Sequence, residues 1–279
     1  MAVNRRSFLT KAFMAGGALL LTPTYSFFKE RLWYEEKHVT ISIPFLPNAM
    51  NGLRVVHFSD LHAGHFYGEE QLAELVRRIN LLQPDVLCFT GDLYDGPIAE
   101  NDGLTELLAQ LKASNGKFAV LGNHDYWDSP KKVTARLQEA GFTVLNNKHA
   151  MITKNNSELY IAGLKNVTWD QPDLMDAIKG IPKEACTLLL VHEPDFADRI
   201  DDKSSVSLQL SGHSHGGQIR LPGIGALITP PRGSKYVDGL YRLPGGLQVY
   251  TNRGIGTSQL PLRLFCRPEI TILTLKRKM

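Results

Sequence analysis

Five short apolar segments of this chain are each followed directly by aspartate, histidine or asparagine. With their polar endings they read, in chain order, LRVVHFSD, DVLCFTGD, KFAVLGNHD, CTLLLVHEP and VSLQLSGHSH. Short runs of apolar and β-branched residues that end in turn residues are typical of buried strands. Because ligands of open α/β sheets bind outside the carboxyl ends of the strands, we expect the five polar endings to meet at one site.

Amphipathic segments separate the predicted strands. Residues 68–83 follow the first strand and carry apolar positions at helical spacing, namely Leu72, Leu75, Val76, Ile79 and Leu82. A second helix is predicted around residues 104–112. Strands that alternate with helices indicate an α/β domain. Because no Pro/Ser-rich linker, charge block or internal repeat divides residues 36–279, we predict one catalytic domain there.

The side chains at the five strand ends are oxygen and imidazole donors. They are Asp60, His62, Asp92, Asn123, His124, Asp125, His192, His213 and His215. Cys88, Cys186 and Cys266 are far apart in the sequence, so neither a disulfide framework nor a thiolate zinc cluster is predicted. Carboxylate, amide and imidazole donors suit divalent Mn, Fe or Zn. The set is too large for one ion and sufficient for two.

The first 35 residues differ in composition from the rest of the chain. Arg5 and Arg6 are followed by a Phe-Leu pair, a lysine and an uncharged, moderately apolar stretch at residues 12–28. This arrangement resembles a twin-arginine (Tat) export signal. A membrane anchor with a basic flank is the alternative, since the stretch is at the low edge of what spans a bilayer. Residues 1–35 are therefore predicted to be a twin-arginine signal or an N-terminal anchor.

The five blocks, taken in order, resemble the signature of the calcineurin-like metallophosphoesterases. The shared pattern is D-x-H, G-D, G-N-H-D, a single His and G-H-x-H, and it extends over nearly the whole chain after the signal. The segments HFSDLHAGH and GLKNVTWDQPD and the C-terminal tail most resemble the small bacterial envelope branch labelled YkuE/YaeI-like. The resemblance implies a four-layer α-β-β-α sandwich, in which two mixed β-sheets pack face to face and are flanked by helices.

The resemblance also implies a role for each polar strand ending. Two groups of three ligands are implied, one for each divalent ion: Asp60, His62 and His215 in the first, and Asn123, His192 and His213 in the second. The carboxylate of Asp92 would bridge the two ions. His124 would stabilise the transition state or protonate the leaving oxygen, and Asp125 would orient it.

The activity implied by the resemblance is hydrolysis of a phosphate ester, a phosphodiester in preference to a monoester, by metal-bound hydroxide without a covalent phosphoenzyme. Two alternatives are open. The first is a pyrophosphatase acting on a nucleotide-linked lipid or cell-wall precursor of the UDP-diacylglucosamine type. This predicts an apolar cleft rimmed by exposed Leu, Phe or Trp. The second is a catalytically silent metal-binding envelope protein, against which the intact ligand set and His124 argue.

The expected partners follow from these interpretations. They are a phosphate-ester substrate, the Tat translocase during export, and the membrane or cell wall of the envelope. A net charge of +3 over 279 residues gives no indication of nucleic-acid binding.

The sequence leaves two interpretations open for each of three further residues. Arg253 is a phosphate contact or a hydrogen-bonding residue, His65 a substrate contact or a loop residue, and Trp127 a pocket or a packing residue.

Overall fold

Two six-stranded sheets form the framework of the computed structural model, which describes residues 22–64, 66–97, 103–201 and 204–278. The first sheet has the order β1 (Glu35–Ile43), β14 (Glu269–Arg277), β2 (Arg54–Phe58), β3 (Val86–Phe89), β4 (Lys117–Ala119) and β5 (Thr143–Val144). The second has the order β12 (Gly239–Arg242), β13 (Gln248–Thr251), β9 (Val206–Ser211), β8 (Thr187–Leu190), β7 (Ser157–Gly163) and β6 (Lys148–Lys154). A ribbon pairs β10 (Arg220–Leu221) with β11 (Gly225–Ala226).

Both sheets are mixed. In the first sheet β14 runs antiparallel to β2, and the other neighbouring strands are parallel. In the second sheet the outer strands β12 and β6 are antiparallel to their neighbours, and the central strands are parallel. All five predicted strands are present as β2, β3, β4, β8 and β9. Their carboxyl ends can therefore meet along one edge of the paired sheets.

Four complete α-helices of the described residues cover the outer faces of the sheets, and residues 22–28 are helical as well. They are α1 (Glu69–Leu81), α2 (Leu104–Ala109), α3 (Pro130–Glu139) and α4 (Leu174–Ala177). Short 3-10 helices lie at Glu30–Leu32, Asn48–Met50, His124–Tyr126, Pro194–Arg199, His215–Gly217 and Pro244–Gly246. The predicted helices 68–83 and 104–112 are present, and the second ends three residues earlier than expected. In α1 the buried residues are four of the predicted apolar positions: Leu72, Leu75, Val76 and Ile79.

Three apolar clusters separate the layers. The central cluster takes Val55 and Cys88 from the first sheet and Leu188 and Leu208 from the second, so it fills the space between the sheets. The other two clusters lie between each sheet and its own helices. Because side chains alternate along a strand, Val56, the neighbour of Val55, faces the helices instead. The predicted four-layer α-β-β-α sandwich is confirmed.

The three cysteines are buried and form no disulfide. Cys88 and Cys186 belong to the cluster between the sheets, as the apolar runs around them predict. Cys266 is also buried, and its backbone N–H donates to the carboxylate of Glu30 over 2.8 Å. The cysteines are therefore structural residues and contribute no metal ligand.

Residues 26–34 lie against the body of the domain. The Ser26 hydroxyl donates to the carbonyl of Arg263 over 2.6 Å, and the Arg267 guanidinium stacks 3.5 Å from the ring centre of Trp33. Arg5 and Arg6 of the predicted export signal, like His65, are outside the described residues. Within the described part of the chain, no helix is both long and apolar enough to span a bilayer. The boundary at residue 35 therefore stays a prediction.

Candidate metal centre

The structure brings all seven predicted ligands together at one edge of the two sheets. Each lies in the loop that follows a strand: Asp60 and His62 after β2, Asp92 after β3, Asn123 after β4, His192 after β8, and His213 and His215 after β9. Loops of the first sheet thus face loops of the second. The site exists only because the sheets pack with these ends on the same side.

The first group of predicted ligands is a compact, buried triad. The Nε2 atoms of His62 and His215 are 3.0 Å apart. Nε2 of His215 lies 3.4 Å from Oδ1 of Asp60, and Nε2 of His62 lies 4.0 Å from the same oxygen. One donor atom from each residue therefore points into a common space, as a shared cation requires.

The second group has the same character. The His192 Nε2 atom lies 3.1 Å from Oδ1 of Asn123 and 3.2 Å from Nδ1 of His213. Backbone carbonyls fix both rings, since Nδ1–H of His192 donates to Thr90 over 2.6 Å and Nε2–H of His213 donates to Pro231 over 2.9 Å. This leaves the other ring nitrogen of each histidine as a lone-pair donor toward the site.

Asp92 lies between the two groups. Its Oδ2 atom is 3.5 Å from Nε2 of His62 and 3.3 Å from Nε2 of His192. Its Oδ1 atom accepts a hydrogen bond from the backbone N–H of His124 over 2.8 Å, which orients the carboxylate. The position of Oδ2 fits the bridging role that the resemblance implies.

Five of the seven predicted ligands have left-handed backbone conformations. The φ angles are 55° for Asp60, 48° for His62, 57° for Asp92, 68° for His213 and 52° for His215. Such conformations cost of order 1–3 kcal/mol each for residues other than glycine, and they cluster at functional sites. The strain turns each loop sharply, so that its side chain points back over the strand ends.

Two glycines make room for the ligand carboxylates. A Cβ atom on Gly122 would lie 2.1 Å from Oδ1 of Asp92, and one on Gly212 would lie 2.2 Å from Oδ2 of Asp60. Both distances are far below van der Waals contact. Gly122 therefore allows two neighbouring loops of the first sheet to approach each other, and Gly212 allows the loop after β9 of the second sheet to approach the loop after β2 of the first.

The charges of the cluster suit bound cations. Asp60 and Asp92 are buried, and among the described residues neither forms an ion pair with Lys or Arg; histidines are their only basic partners. Buried carboxylates are unfavourable without compensating positive charge. Two carboxylates, one amide and four imidazoles also form a donor set that Mn, Fe or Zn accepts. The residues therefore fit divalent metal ions.

Two of the histidines are held in the form that binds metal. Burial and the neighbouring His62 keep the pKa of His215 well below its usual value, and burial together with His192 lowers the pKa of His213. A neutral imidazole is required for ligation. Burial alone would also lower the pKa of His62, but the carboxylates of Asp95 and Asp92 raise it.

The position of Asp125 differs from the predicted one. Its buried carboxylate accepts hydrogen bonds from the backbone N–H groups of Asp92, Leu93 and Gly122 over 2.8–2.9 Å, and so it ties the loop after β3 to the loop after β4. Burial and the Asp92 carboxylate raise the pKa of Asp125 to about 6. The prediction that Asp125 orients His124 is therefore corrected: Asp125 supports the ligand loops, because its side chain points away from the imidazole.

Asp95 occupies the place predicted for Asp125. Its Oδ1 atom lies 2.8 Å from Nδ1 of His124 and 3.7 Å from Nδ1 of His62. The hydrogen bond to His124 and the nearby imidazole of His62 hold the pKa of Asp95 well below its usual value. His62, Asp95 and His124 are also close enough together to share an ion. The sequence signal was a second aspartate three positions after Asp92, in GDLYD, and the prediction missed it.

A cleft of about 550 Å³ opens over the cluster. His124 lies in its wall, and the indole of Trp127 stacks on this imidazole with ring centres 3.7 Å apart. Much of the remaining wall is apolar and exposed, and consists of Trp127, Trp169, Leu227, Ile228 and Leu260. Trp127 is therefore a pocket residue. The cleft offers an anionic group access to the donors beside a broad apolar surface.

Arg253 belongs to an ion-pair network outside the cluster. Its Nε–H donates to Glu269 over 2.7 Å, and an Nη2–H donates to Glu35 over 2.9 Å. Of its two predicted roles, the structure shows the hydrogen-bonding one.

His57 is buried behind the site, and its Nε2 lies 2.9 Å from the Thr90 hydroxyl. Burial lowers the pKa of His57 to about 3, so this imidazole is a neutral structural group.

Comparison with known proteins agrees with this geometry. Residues 53–217 match the family model of calcineurin-like phosphoesterases. The uncharacterized metallophosphoesterase YkuE of Bacillus subtilis is 38% identical over 98% of both chains, and the phosphodiesterase YaeI of Escherichia coli is 29% identical over 98% of this chain and 99% of that one. A transmembrane protein with a metallophosphoesterase domain from Danio rerio is 32% identical over 86% of this chain and 57% of its own. The chain belongs to the calcineurin-like metallophosphoesterase family and is a phosphoric ester hydrolase.

Proposed function

We propose that this protein is an exported phosphodiesterase with two divalent metal ions at its active site. The observation that carries the proposal is the single buried cluster in which Asp92 lies between two sets of oxygen and imidazole donors, with His124 in the cleft above them. The family membership supports hydrolysis of a phosphate ester, and the relative named as a phosphodiesterase favours a diester.

In this proposal the two donor groups bind one ion each. Asp60, His62 and His215 hold the first, and Asn123, His192 and His213 hold the second, with Mn, Fe or Zn as the expected metals. Divalent ions in such a pair supply charge stabilisation to phosphate oxygens and lower the pKa of water. Asn123 adds a neutral ligand, so the site keeps less negative charge against an anionic substrate.

His124 has the position of a proton donor. Its Nδ1 is engaged with the carboxylate of Asp95, so Nε2–H is the group that would reach the leaving oxygen. The charged partner stabilises the imidazolium and fixes the ring, while Trp127 stacks on its face and excludes water from one side. We infer that His124 is the general acid and Asp95 its positioning residue.

Export is proposed from the twin-arginine pattern at Arg5 and Arg6. The Tat route carries folded proteins, which suits an enzyme that binds its metals before it crosses the membrane. The expected location is the cell envelope, with the chain either released or anchored by its N-terminus. Fractionation of cells with and without a functional Tat translocase tests this, and the proposal predicts that the protein stays inside cells lacking it.

One observation favours a second candidate function. The apolar wall of the cleft, which includes Trp169, Leu227 and Ile228, is the rim expected for a pyrophosphatase that acts on a nucleotide-linked lipid or cell-wall precursor. Such a substrate presents an anionic pyrophosphate beside a hydrocarbon group. The metal centre is the same in both candidates, and the difference lies in what the apolar wall binds.

Hydrolysis of bis-p-nitrophenyl phosphate by the purified protein with added Mn²⁺ tests the enzyme itself. We expect turnover that a chelator abolishes and that fresh metal restores. Parallel assays with a p-nitrophenyl monoester and a UDP-diacylglucosamine-type pyrophosphate separate the two candidates by their kcat/KM. If metal-loaded protein hydrolyses none of the three, the proposed activity is wrong and a silent metal-binding envelope protein is the remaining interpretation.

Asp95→Asn is expected to lower kcat roughly 10- to 100-fold, the usual effect of removing an outer partner of a site residue. The amide keeps the size of the side chain but loses the charge that stabilises the His124 imidazolium. KM should stay close to wild type, and metal content measured with excess metal should change less than kcat, since Asp95 contacts the ligand His62 only at 3.7 Å. Asp198→Asn, which removes a surface partner of Lys235, is the matched control and should leave kcat unchanged. A rise in KM with unchanged kcat would contradict the positioning role.

A further inference from the structure

Exposed apolar side chains cluster on two loops beside the cleft. Ile224, Leu227, Ile228, Leu260 and Phe265, which we call the loop face, are 72, 51, 81, 55 and 59% exposed, respectively. Ile224 lies in the turn between β10 and β11, and Leu227 and Ile228 follow β11. Leu260 and Phe265 lie in the loop that precedes β14. Contiguous exposed apolar surface of this kind marks an interaction site.

The two loops of the loop face are joined by hydrogen bonds. The Arg220 N–H donates to the carbonyl of Leu264 over 2.9 Å, and the Gln218 side chain donates to the carbonyl of Leu260 over 3.0 Å. Leu227 N–H donates to Ile219, which itself pairs with Leu264. The loop face is therefore one connected surface, since each loop holds the other in place.

The N-terminal part of the chain reaches the domain at the same surface. Ser26 bonds to Arg263 within the second loop, and two residues further on Phe28 is 68% exposed. The uncharged, apolar stretch at residues 12–28 ends in this described part of the chain. Its last residues, around Ser26, therefore lie beside the loop that carries Phe265.

The same three segments contain no acidic residue. Residues 1–29, 212–237 and 252–268 lack Asp and Glu entirely, although the whole chain contains 28 of them. The acids that touch these segments are already engaged: Asp238 with Arg220 over 2.8 Å, Glu30 with the backbone of Cys266, and Asp195 with the backbone N–H groups of residues 234–236. Arg232, at the cleft rim, is exposed. The loop face thus combines apolar tips with an exposed arginine and with loops that carry no carboxylate of their own.

We propose that the loop face docks on a lipid bilayer that contains anionic lipids, so that the cleft opens toward the membrane surface. Exposed aliphatic and aromatic tips beside a basic residue suit interfacial binding, since the tips enter the headgroup region and Arg232 attracts anionic lipid. The apolar stretch at residues 12–28 ends at this same face, which favours a lipid bilayer over a second protein. Docking does not depend on turnover, so it stands or falls separately from the proposed activity.

A fluorescent reporter on the full chain tests this docking. The native cysteines are buried, so Ile228→Cys can be labelled selectively with bimane. The matched reporter is Leu81→Cys, which is 70% exposed at the end of α1, at the sheet edge opposite the cleft. On vesicles of phosphatidylcholine and phosphatidylglycerol with brominated chains, we expect loss of fluorescence at position 228 and none at position 81. Metal content and melting temperature confirm folding of both.

Two other results would overturn the proposal. Vesicles that retain the protein while position 228 stays as bright as position 81 would show binding through the N-terminus alone. A bimane emission shift at position 228 without vesicles, together with a dimer mass, would assign the loop face to a second copy of the chain.

The contribution of charge is tested by Arg232→Gln. This variant should bind the anionic vesicles roughly fivefold more weakly and bind pure phosphatidylcholine as wild type does. Equal effects on both kinds of vesicle would also contradict the proposal.

Discussion

His124→Gln is expected to cut kcat by ~10²–10⁴, the usual contribution of a positioned general acid. Glutamine retains the backbone N–H that orients Asp92, and it retains a polar side chain in the cleft, but it cannot donate a proton to a leaving oxygen. Metal content should stay close to wild type, because His124 belongs to neither proposed ligand group. The measurements are steady-state hydrolysis of bis-p-nitrophenyl phosphate and elemental analysis of the desalted protein.

The control for this variant is His149→Gln, at a half-buried histidine of β6 whose Nδ1–H donates to the carbonyl of Ala177. It should leave both turnover and metal content unchanged. His124, His62 and Asp95 lie close enough together to share an ion, so the alternative role of His124 is specific. Loss of metal from His124→Gln would identify it as a ligand, and the general-acid assignment would be wrong.

Asp92→Asn is expected to deplete both metal ions together and to abolish turnover. The Oδ2 atom lies within 3.5 Å of a histidine from each donor group, so one oxygen serves both. Asparagine matches the size of the side chain and still accepts the His124 N–H, but the loss of charge leaves two cations close together without the carboxylate that offsets their repulsion. Elemental analysis after desalting measures the metal, and circular dichroism confirms the fold.

His215→Ala is the comparison for this variant, because His215 contacts Asp60 and His62 in the first group only. It should remove one ion and leave most of the second. If Asp92→Asn also retained one full equivalent of metal, the carboxylate would serve a single ion and the bridging assignment would fail. The pair of variants therefore measures which residues are shared between the two sites.

The sequence predicted the strands that carry the site because each is rich in apolar residues and has a polar ending. Strands β3 and β8 are buried throughout and read as nearly continuous apolar runs, whereas β9 alternates apolar residues with buried Ser207, Gln209 and Ser211. The rule that ligands meet at strand carboxyl ends then placed all seven donors on one edge. The composition of each segment was sufficient to predict the strands and the donors at their ends, since each buried strand is rich in apolar residues whatever its neighbours are.

The roles of Asp95 and Asp125 were not predictable in this way. Both lie a few residues from a proposed ligand, both are carboxylates, and sequence distance favoured Asp125 as the partner of His124. The short 3-10 helix at His124–Tyr126 turns the Asp125 side chain back to the loop N–H groups of Asp92, Leu93 and Gly122. Whether Asp95 or Asp125 faces the His124 imidazole thus depends on the backbone dihedral angles of the loops. The identity of the two residues, aspartate in both cases, does not determine these angles.

The sequence by itself determined the donor types, their order and the strands that present them, because apolar burial and the period of a strand are local properties. The resemblance implied the two donor groups and the bridging role of Asp92, and only the tertiary structure decided their distances, that Asp95 faces His124, and that apolar loops surround the cleft. These features depend on the two sheets packing together with five strained residues in the loops after β2, β3 and β9, at distances that Gly122 and Gly212 permit. Contacts between residues 153 positions apart, such as His62 with His215, form only when the whole sandwich closes.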